Sequence, residues 1–139
     1  RRSARARRSG RGLVTAAAAD TARHWPTEIR LRRDQKRLEI AFDDGALFSL
    51  PAEYLRVESP SAEVQGHGPG QKQIVAGRRH VGIMELETVG RYAIRIHFDD
   101  THDTGLYSWD YLRHLGENRT ALWRAYLDAL ARQGLSRDP

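Results

Sequence analysis

The residues with the clearest capacity for chemistry lie in one short segment of the sequence. Asp99, Asp100 and Asp103 surround His102. Hard carboxylate oxygens together with an imidazole nitrogen suit Fe(II), Mn(II) or Zn(II). His67, in a glycine-rich segment, could add a further ligand. One hypothesis is therefore a small metal site built on His102, Asp100 and Asp103.

The same segment also has the composition of a hairpin turn. Aspartate side chains accept hydrogen bonds from turn amides, and histidine tolerates the left-handed backbone that some turns require. An earlier segment, Asp43–Gly45, carries the same acids without a histidine. The turn is the favoured interpretation, and a site for Fe(II) or another divalent metal is the alternative.

Aromatic side chains offer a second candidate site. Tyr92, Tyr107, Trp109 and Tyr111 could enclose a quaternary ammonium group, which aromatic faces bind through cation–π attraction. Tyr92 falls on the apolar face of a predicted strand, however, and Trp109 falls at the start of a predicted helix. We therefore predict that these rings belong to the hydrophobic core.

Signatures of catalysis are missing from the sequence. There is no cysteine nucleophile, no Gly-x-Ser-x-Gly motif, and no Gly-Lys-Ser/Thr to complete a phosphate loop near His67. Ser49 and Ser108 have no identifiable base. We predict that the chain is not an enzyme, and an enzyme of unknown type is the least favoured alternative.

Charge is distributed unevenly along the chain. The formal net charge is +5, but residues 1–23 hold seven arginines and a single acid, Asp20, so the remainder is close to neutral. This tail is predicted to be disordered, because it has too few apolar residues to drive folding, and an arginine-rich transit segment is the alternative. No aromatic residue precedes Trp25, so nucleic-acid binding is not expected.

The remainder is predicted to be one domain, residues 24–134, followed by a flexible C-terminus, residues 135–139. No apolar run approaches the roughly 18 residues of a membrane helix, so no membrane association is predicted. The absence of cysteine excludes disulfides and thiolate metal ligands. These features fit a reducing compartment, and the predicted location is the cytoplasm.

Hydrophobic periodicity predicts the elements that position these residues. Leu38, Ile40 and Phe42 alternate with polar or small residues, and an Asp-Gly turn leads to Phe48 and Leu50. This pattern is typical of an antiparallel hairpin, because glycine accepts the positive φ that its turn requires.

Two segments of the chain resemble each other. Residues 42–56 run Phe-Asp-Asp, turn, aromatic-bearing strand and short helix ending in Tyr-Leu-Arg, and residues 98–113 follow the same order with a longer turn. Residues 117–133 have the three- and four-residue apolar spacing of an amphipathic helix. The predicted fold class is α+β and β-rich, with antiparallel hairpins in a duplicated hairpin-plus-short-helix arrangement and a C-terminal helix.

These units resemble an uncharacterised family of stand-alone bacterial proteins, which is related to the N-terminal domain of gamma-butyrobetaine hydroxylase. The resemblance covers residues 25–132, and the motifs that carry it are residues 42–45, 54–56, 59–63, 89–93 and 98–109. It implies an accessory domain found on iron- and 2-oxoglutarate-dependent hydroxylases of carnitine synthesis, on some P-loop iron–sulfur scaffold proteins, or as a free-standing protein.

The resemblance also implies where a zinc site would lie. The hydroxylases hold zinc in this domain with three cysteines and one histidine, and the matching positions here are Ser59, Ser61, Val64 and His102. Serine and valine do not replace thiolates, so structural zinc is not expected. The predicted function is a non-catalytic accessory or protein-interaction domain linked to iron or iron–sulfur machinery, with an unidentified protein partner. A small metal-binding protein is the alternative.

Overall fold

The computed structural model describes residues 24–68 and 70–139, so the predicted basic tail, residues 1–23, lies outside the described residues. Within them, six strands form two antiparallel sheets of three, each with its strands in chain order. The strands are β1 (Pro26–Arg32), β2 (Arg37–Phe42), β3 (Leu47–Pro51), β4 (Ile83–Val89), β5 (Ala93–Phe98) and β6 (Leu106–Ser108).

A helix follows each sheet in the same relative position, which confirms the predicted duplication and the β-rich α+β class. β3 leads directly into α1 (Ala52–Val57), and β6 leads directly into α3 (Trp109–Glu117). Between the sheets lies the short α2 (Ala62–Gln65), and the described chain ends with the longer α4 (Arg119–Arg132). No described helix is long and apolar enough to cross a membrane.

Period-two alternation buries one face of each sheet. Leu38 and Ile40 of β2 and Ile94 and Ile96 of β5 are at most 1% exposed, and all four belong to one core cluster. The alternation works because successive side chains of a strand point to opposite faces. Each such buried aliphatic side chain contributes about 1.5–3 kcal/mol relative to leaving it exposed.

Two side chains in the turn between β1 and β2 connect the first sheet to the second. Arg33 donates from Nε to the carbonyl of Met84 at 2.7 Å, and Lys36 donates from Nζ to the carbonyl of His80 at 2.7 Å. Lys36 itself has a positive φ of 53°, which closes this tight turn. The two duplicated units are thereby joined near the start of β4.

The placement predicted for Tyr92 was wrong. The residue lies in the turn before β5 and is 40% exposed, whereas the next residue, Ala93, which begins β5, is 1% exposed. The reason is the hairpin turn: Val89 pairs with Ala93, and Gly90 has a φ of +56°. The ring of Tyr92 lies over Gly90, where an added Cβ would come within 2.8 Å of it.

Helix α4 lies where the apolar spacing predicted it, with two local differences. Asn118 precedes the helix, but its side chain donates to the carbonyl of His114 at 2.9 Å and does not cap α4. Tyr126 and Leu130 are buried as predicted, but Leu127 is 36% exposed. The buried stripe is therefore narrower than the sequence pattern indicates, and part of α4 is left open.

The segment 135–139, predicted to be flexible, is hydrogen-bonded to the loop before β4. Gly77 donates its amide to the carbonyl of Ser136 at 2.9 Å, and Arg79 donates its amide to the carbonyl of Arg137 at 3.0 Å. The side chain of Arg137 also forms a two-pronged hydrogen bond with Glu53, at 2.7 and 2.8 Å. Residues far apart in sequence make these bonds, two of them between backbone groups, so local composition gives no sign of them.

Candidate functional site

Asp100, the first predicted metal ligand, has other partners in the structure. Its Oδ2 accepts a hydrogen bond from Arg56 Nε at 2.8 Å and lies 2.7 Å from Arg78 Nε, while its Oδ1 accepts from the backbone amide of His102 at 3.1 Å. Burial alone would raise the pKa of this carboxyl. The hydrogen bonds from Arg56 and from the His102 amide hold the pKa below its usual value.

The other acids considered for the metal site, and His67, are exposed in the structure. Asp103 is exposed and lies 3.9 Å from His97, whose Nε2 is 3.0 Å from Glu87. Asp99 and His67 are both exposed. The metal site on His102, Asp100 and Asp103 stays a prediction of the sequence.

The group of potential ligands that does converge among the described residues is His24, Asp43 and Asp44, whose ligand atoms lie within 4.8 Å of one another. Asp44 is already engaged, because both its oxygens accept from Arg113, at 3.0 and 2.8 Å. These hydrogen bonds hold the pKa of the Asp44 carboxyl well below its usual range. The sequence singled out the two acids as a turn and missed His24.

Ser59, Ser61 and His102 form a buried group that we call the polar cluster. Nε2 of His102 lies 2.9 Å from the Ser59 hydroxyl and 3.4 Å from the Ser61 hydroxyl. The three residues are 0%, 6% and 8% exposed, and Val64, nearby on α2, is 2% exposed. The positions that the family resemblance marks as zinc ligands are therefore brought to one buried place, but their side chains do not supply a zinc donor set.

The pKa of His102 lies below its ordinary value of about 6.5. The main cause is burial, and the second is the positive charge of Arg56. The unfolded chain then takes up a proton at this histidine at a higher pH than the folded chain. As pH falls below about 6.5, the unfolded state binds more protons, so stability decreases.

We expect the free energy of unfolding to fall between about pH 7 and pH 5, and this slope to be smaller in His102→Gln. Urea denaturation at a series of pH values measures it. The control is His67→Gln, at an exposed position, which is expected to keep the wild-type slope. An unchanged slope in His102→Gln would contradict the assignment.

Of the four aromatic residues predicted to be core, three are confirmed: Tyr107 and Trp109 lie in the core cluster, and Tyr111 packs against it. The Tyr107 hydroxyl donates to the carbonyl of Leu55 at 2.6 Å, and the indole of Trp109 donates to the carbonyl of Arg91 at 2.7 Å. Tyr111 likewise donates to a buried backbone carbonyl, that of Glu58. Because Tyr92 lies outside on a turn, the four rings do not enclose a shared ligand site.

A cleft of about 620 Å³ lies between α4 and the start of α1, and we call it the α4 cleft. Trp123 and Leu127 of α4 supply apolar surface to it. Its charged lining consists of Arg119, Arg124, Arg137 and Glu53. The cleft therefore combines an apolar surface with an excess of positive charge.

The arginines of the α4 cleft differ in how they are engaged. Arg137 is neutralised by its two hydrogen bonds to Glu53, and its guanidinium lies 5.2 Å from the centre of the Trp123 ring. Arg119 donates to the carbonyl of Ser49 at 3.0 Å but has no acidic partner within the described chain. Arg124 is exposed and makes no ion pair with any described residue. Two positive charges are thus free to attract an acidic ligand.

Sequence reasoning missed this cleft because it treated α4 only as a core helix. Arg119, Trp123 and Leu127 are spaced by four residues, a spacing that places side chains on one helix face. A row of cationic and apolar residues along one helix face was the signal in the sequence that could have indicated the cleft. The contribution of Glu53 and Arg137 had no local signal, because these residues are 84 positions apart.

Comparison with known proteins identifies a family whose model matches more than half of this chain. Residues 29–113 match the family described as gamma-butyrobetaine hydroxylase-like, N-terminal. No curated protein matches the chain.

Solved structures similar to this chain include the following three. An NMR solution structure is 45% identical, covers 84% of this chain and 91% of its own, and superposes with a TM-score of 0.73. A second NMR structure is 42% identical, covers 92% of each chain, and also has a TM-score of 0.73. A crystal structure of a DUF971-family protein of unknown function from Acidithiobacillus ferrooxidans is 41% identical, covers 66% of this chain and 91% of its own, and has a TM-score of 0.56.

Proposed function

The chain belongs to the gamma-butyrobetaine hydroxylase-like N-terminal domain family, and we propose that it is a non-catalytic accessory domain that binds an acidic segment of a protein partner in the α4 cleft. The observation that carries the proposal is the combination of Trp123 and Leu127 with unneutralised arginines in one open cleft. Tryptophan and arginine are enriched among the residues that dominate binding energy at protein interfaces.

Charge complementarity selects the chemistry of the partner segment. Arg119 and Arg124 have no acidic partner in the described chain, whereas Glu53 is already paired with Arg137. A carboxylate of the partner could accept two parallel hydrogen bonds from one guanidinium, and such charge-assisted bonds are roughly twice as strong as those between neutral groups. An apolar side chain beside it would cover Trp123 and Leu127. The preferred ligand is therefore an extended or helical segment that carries a carboxylate with an apolar side chain beside it.

The family resemblance supplies the class of partner. It implies domains that work with 2-oxoglutarate hydroxylases or with P-loop iron–sulfur scaffold proteins, so an acidic segment of such an iron protein is the proposed target. We place this role in the cytoplasm, the compartment that the cysteine-free composition fits.

A non-catalytic role is supported by the closer of the two serine–histidine pairs in the polar cluster. Ser59 lies 2.9 Å from His102, the distance of a nucleophile and its base, but Ser59 is 0% exposed. A hydroxyl that no substrate can reach does not act as a nucleophile. The open surface of the α4 cleft suits binding instead.

The test is a selection from a displayed library of random peptides against the full chain, followed by calorimetry of the enriched peptides. We expect enriched sequences to combine Asp or Glu with an aromatic or aliphatic residue. Their affinity should fall about tenfold or more in Arg124→Glu, which corresponds to the loss of one close charge pair, and to a similar degree in Trp123→Ala.

The matched control is Arg132→Glu, which makes the same charge change on an exposed position of α4 outside the cleft. It is expected to change affinity less than about threefold, because rim and distant charges contribute little. Enrichment of basic or neutral peptides, or equal binding to Arg124→Glu and the wild type, would show that the α4 cleft is not an acidic-segment site.

A further inference from the structure

We propose that the polar cluster of Ser59, Ser61 and His102 is a metal-free cross-link that stands where the family resemblance implies a zinc ion. In a structural zinc site, four ligands join separate segments of the chain through the metal. Here the same segments are joined directly by hydrogen bonds between side chains.

The cluster connects two distant parts of the fold. Ser59 and Ser61 lie between α1 and α2, and His102 lies in the turn between β5 and β6, 43 positions along the chain from Ser59. The hydroxyl of Ser59 also accepts the amide of Ser61 at 3.3 Å, and its carbonyl accepts from Gln65 at 2.8 Å. The two hydroxyls and Nε2 of His102 therefore each have a protein partner, and no ion is needed to satisfy them.

The geometry is too close for a metal between these atoms. Zinc bonds of about 2.0–2.3 Å arranged tetrahedrally place neighbouring ligand atoms more than about 3 Å apart. The Ser59 oxygen and the His102 nitrogen are 2.9 Å apart, which is a direct hydrogen bond. Gly105 also packs against Ser59, so closely that a Cβ at that position would come within 2.5 Å of the Ser59 oxygen.

The chemistry of the side chains leads to the same conclusion. Zinc in structural sites is held by thiolates and imidazoles, and a serine hydroxyl keeps its proton at neutral pH. Val64 offers no donor atom at the remaining implied position. The fold of this chain is therefore independent of zinc supply and of thiol oxidation, whereas a thiolate zinc site couples folding to both.

The experiment compares the wild-type chain with the triple variant Ser59→Cys, Ser61→Cys and Val64→Cys. For the wild type we expect the same melting temperature with EDTA, with added zinc and without either, and no zinc binding by calorimetry. The triple variant is expected to bind one zinc ion at least about a thousandfold more tightly than the wild type, since it regains a Cys3His set. Adding His102→Ala to the triple variant should reverse most of this gain.

Ser59→Ala in the wild-type background keeps the test decisive if the triple variant does not fold. Ser59→Ala should lower the urea midpoint of unfolding by the same amount with and without EDTA. Destabilisation of the wild type by EDTA, tight zinc binding by the wild type, or an effect of Ser59→Ala that disappears in EDTA would each overturn the proposal. A folded triple variant that binds zinc no better than the wild type would overturn it too.

Discussion

Replacing Asp100 with alanine is expected to lower the free energy of unfolding by about 3–5 kcal/mol. The carboxylate is the counter-ion of Arg56, whose side chain is 9% exposed, and it also pairs with Arg78. One nitrogen of Arg56, Nη1, is buried without any hydrogen-bond partner, so no other acceptor is at hand to replace Asp100. Removal of the acid therefore leaves a buried positive charge uncompensated, which is the costly way to break an ion pair. Urea denaturation at pH 7 measures the effect.

The control for this prediction is Asp103→Ala, in the same turn. Asp103 is exposed, and its ion-pair contact with His97 is long, at 3.9 Å. The substitution is therefore expected to change the free energy of unfolding by less than about 0.5 kcal/mol. The double variant Asp100→Ala with Arg56→Met should be less destabilised than the sum of the single changes, because the unpaired charge is removed with its partner. Equal effects of Asp100→Ala and Asp103→Ala would contradict a structural ion pair and favour a role common to both carboxylates, as in the metal hypothesis.

Tyr107→Ala is expected to cost about 3–5 kcal/mol, the range found when a large aromatic side chain is removed from a core. Tyr107 is 0% exposed, and its hydroxyl donates to the carbonyl of Leu55 at 2.6 Å. The substitution leaves a cavity beneath β6 and an unsatisfied carbonyl at the end of α1. Chemical denaturation followed by tryptophan fluorescence measures the loss.

Two further tyrosine variants separate packing from hydrogen bonding. Tyr107→Phe keeps the ring and removes the hydroxyl, so it should cost about 1–3 kcal/mol for the unpaired carbonyl. Tyr92→Ala removes a ring that is 40% exposed and is expected to stay within about 0.5 kcal/mol. If Tyr107→Ala were as mild as Tyr92→Ala and instead weakened binding of tetramethylammonium, the rings would be a ligand site and not core.

The fold could be predicted largely because its signals are local. The Phe-Asp-Asp turns, the alternation in β2 and β5, and the apolar spacing of α4 each determine an element within a few residues. The repetition of one unit predicted two equivalent hairpin-plus-helix halves, but it left open whether the hairpins share one sheet or form two, and the structure has two. Tyr92 was misplaced because the start of a strand depends on the turn before it, and periodicity alone does not show where a turn ends.

The candidate sites were harder to predict because they are made of distant contacts. The acids at 99–103 were recognised by type, but the role of Asp100 depends on Arg56 and Arg78, which approach it only in the folded chain. The convergence of Ser59, Ser61 and His102 followed from the family resemblance and not from their own chemistry. The α4 cleft had no motif, since half of its charged lining comes from outside α4.

The pairing of Glu53 with Arg137 also has a kinetic consequence. These two residues line the α4 cleft and are 84 positions apart, so their contact closes a loop that includes the whole second sheet, β4 to β6. A long-range contact loses chain entropy before its own interactions compensate, so we expect this one to form late, after the intervening hairpins have docked. The cleft therefore takes shape in the last steps of folding. A partner that recognises it distinguishes the finished domain from its folding intermediates, and it does not engage a chain truncated before Arg137.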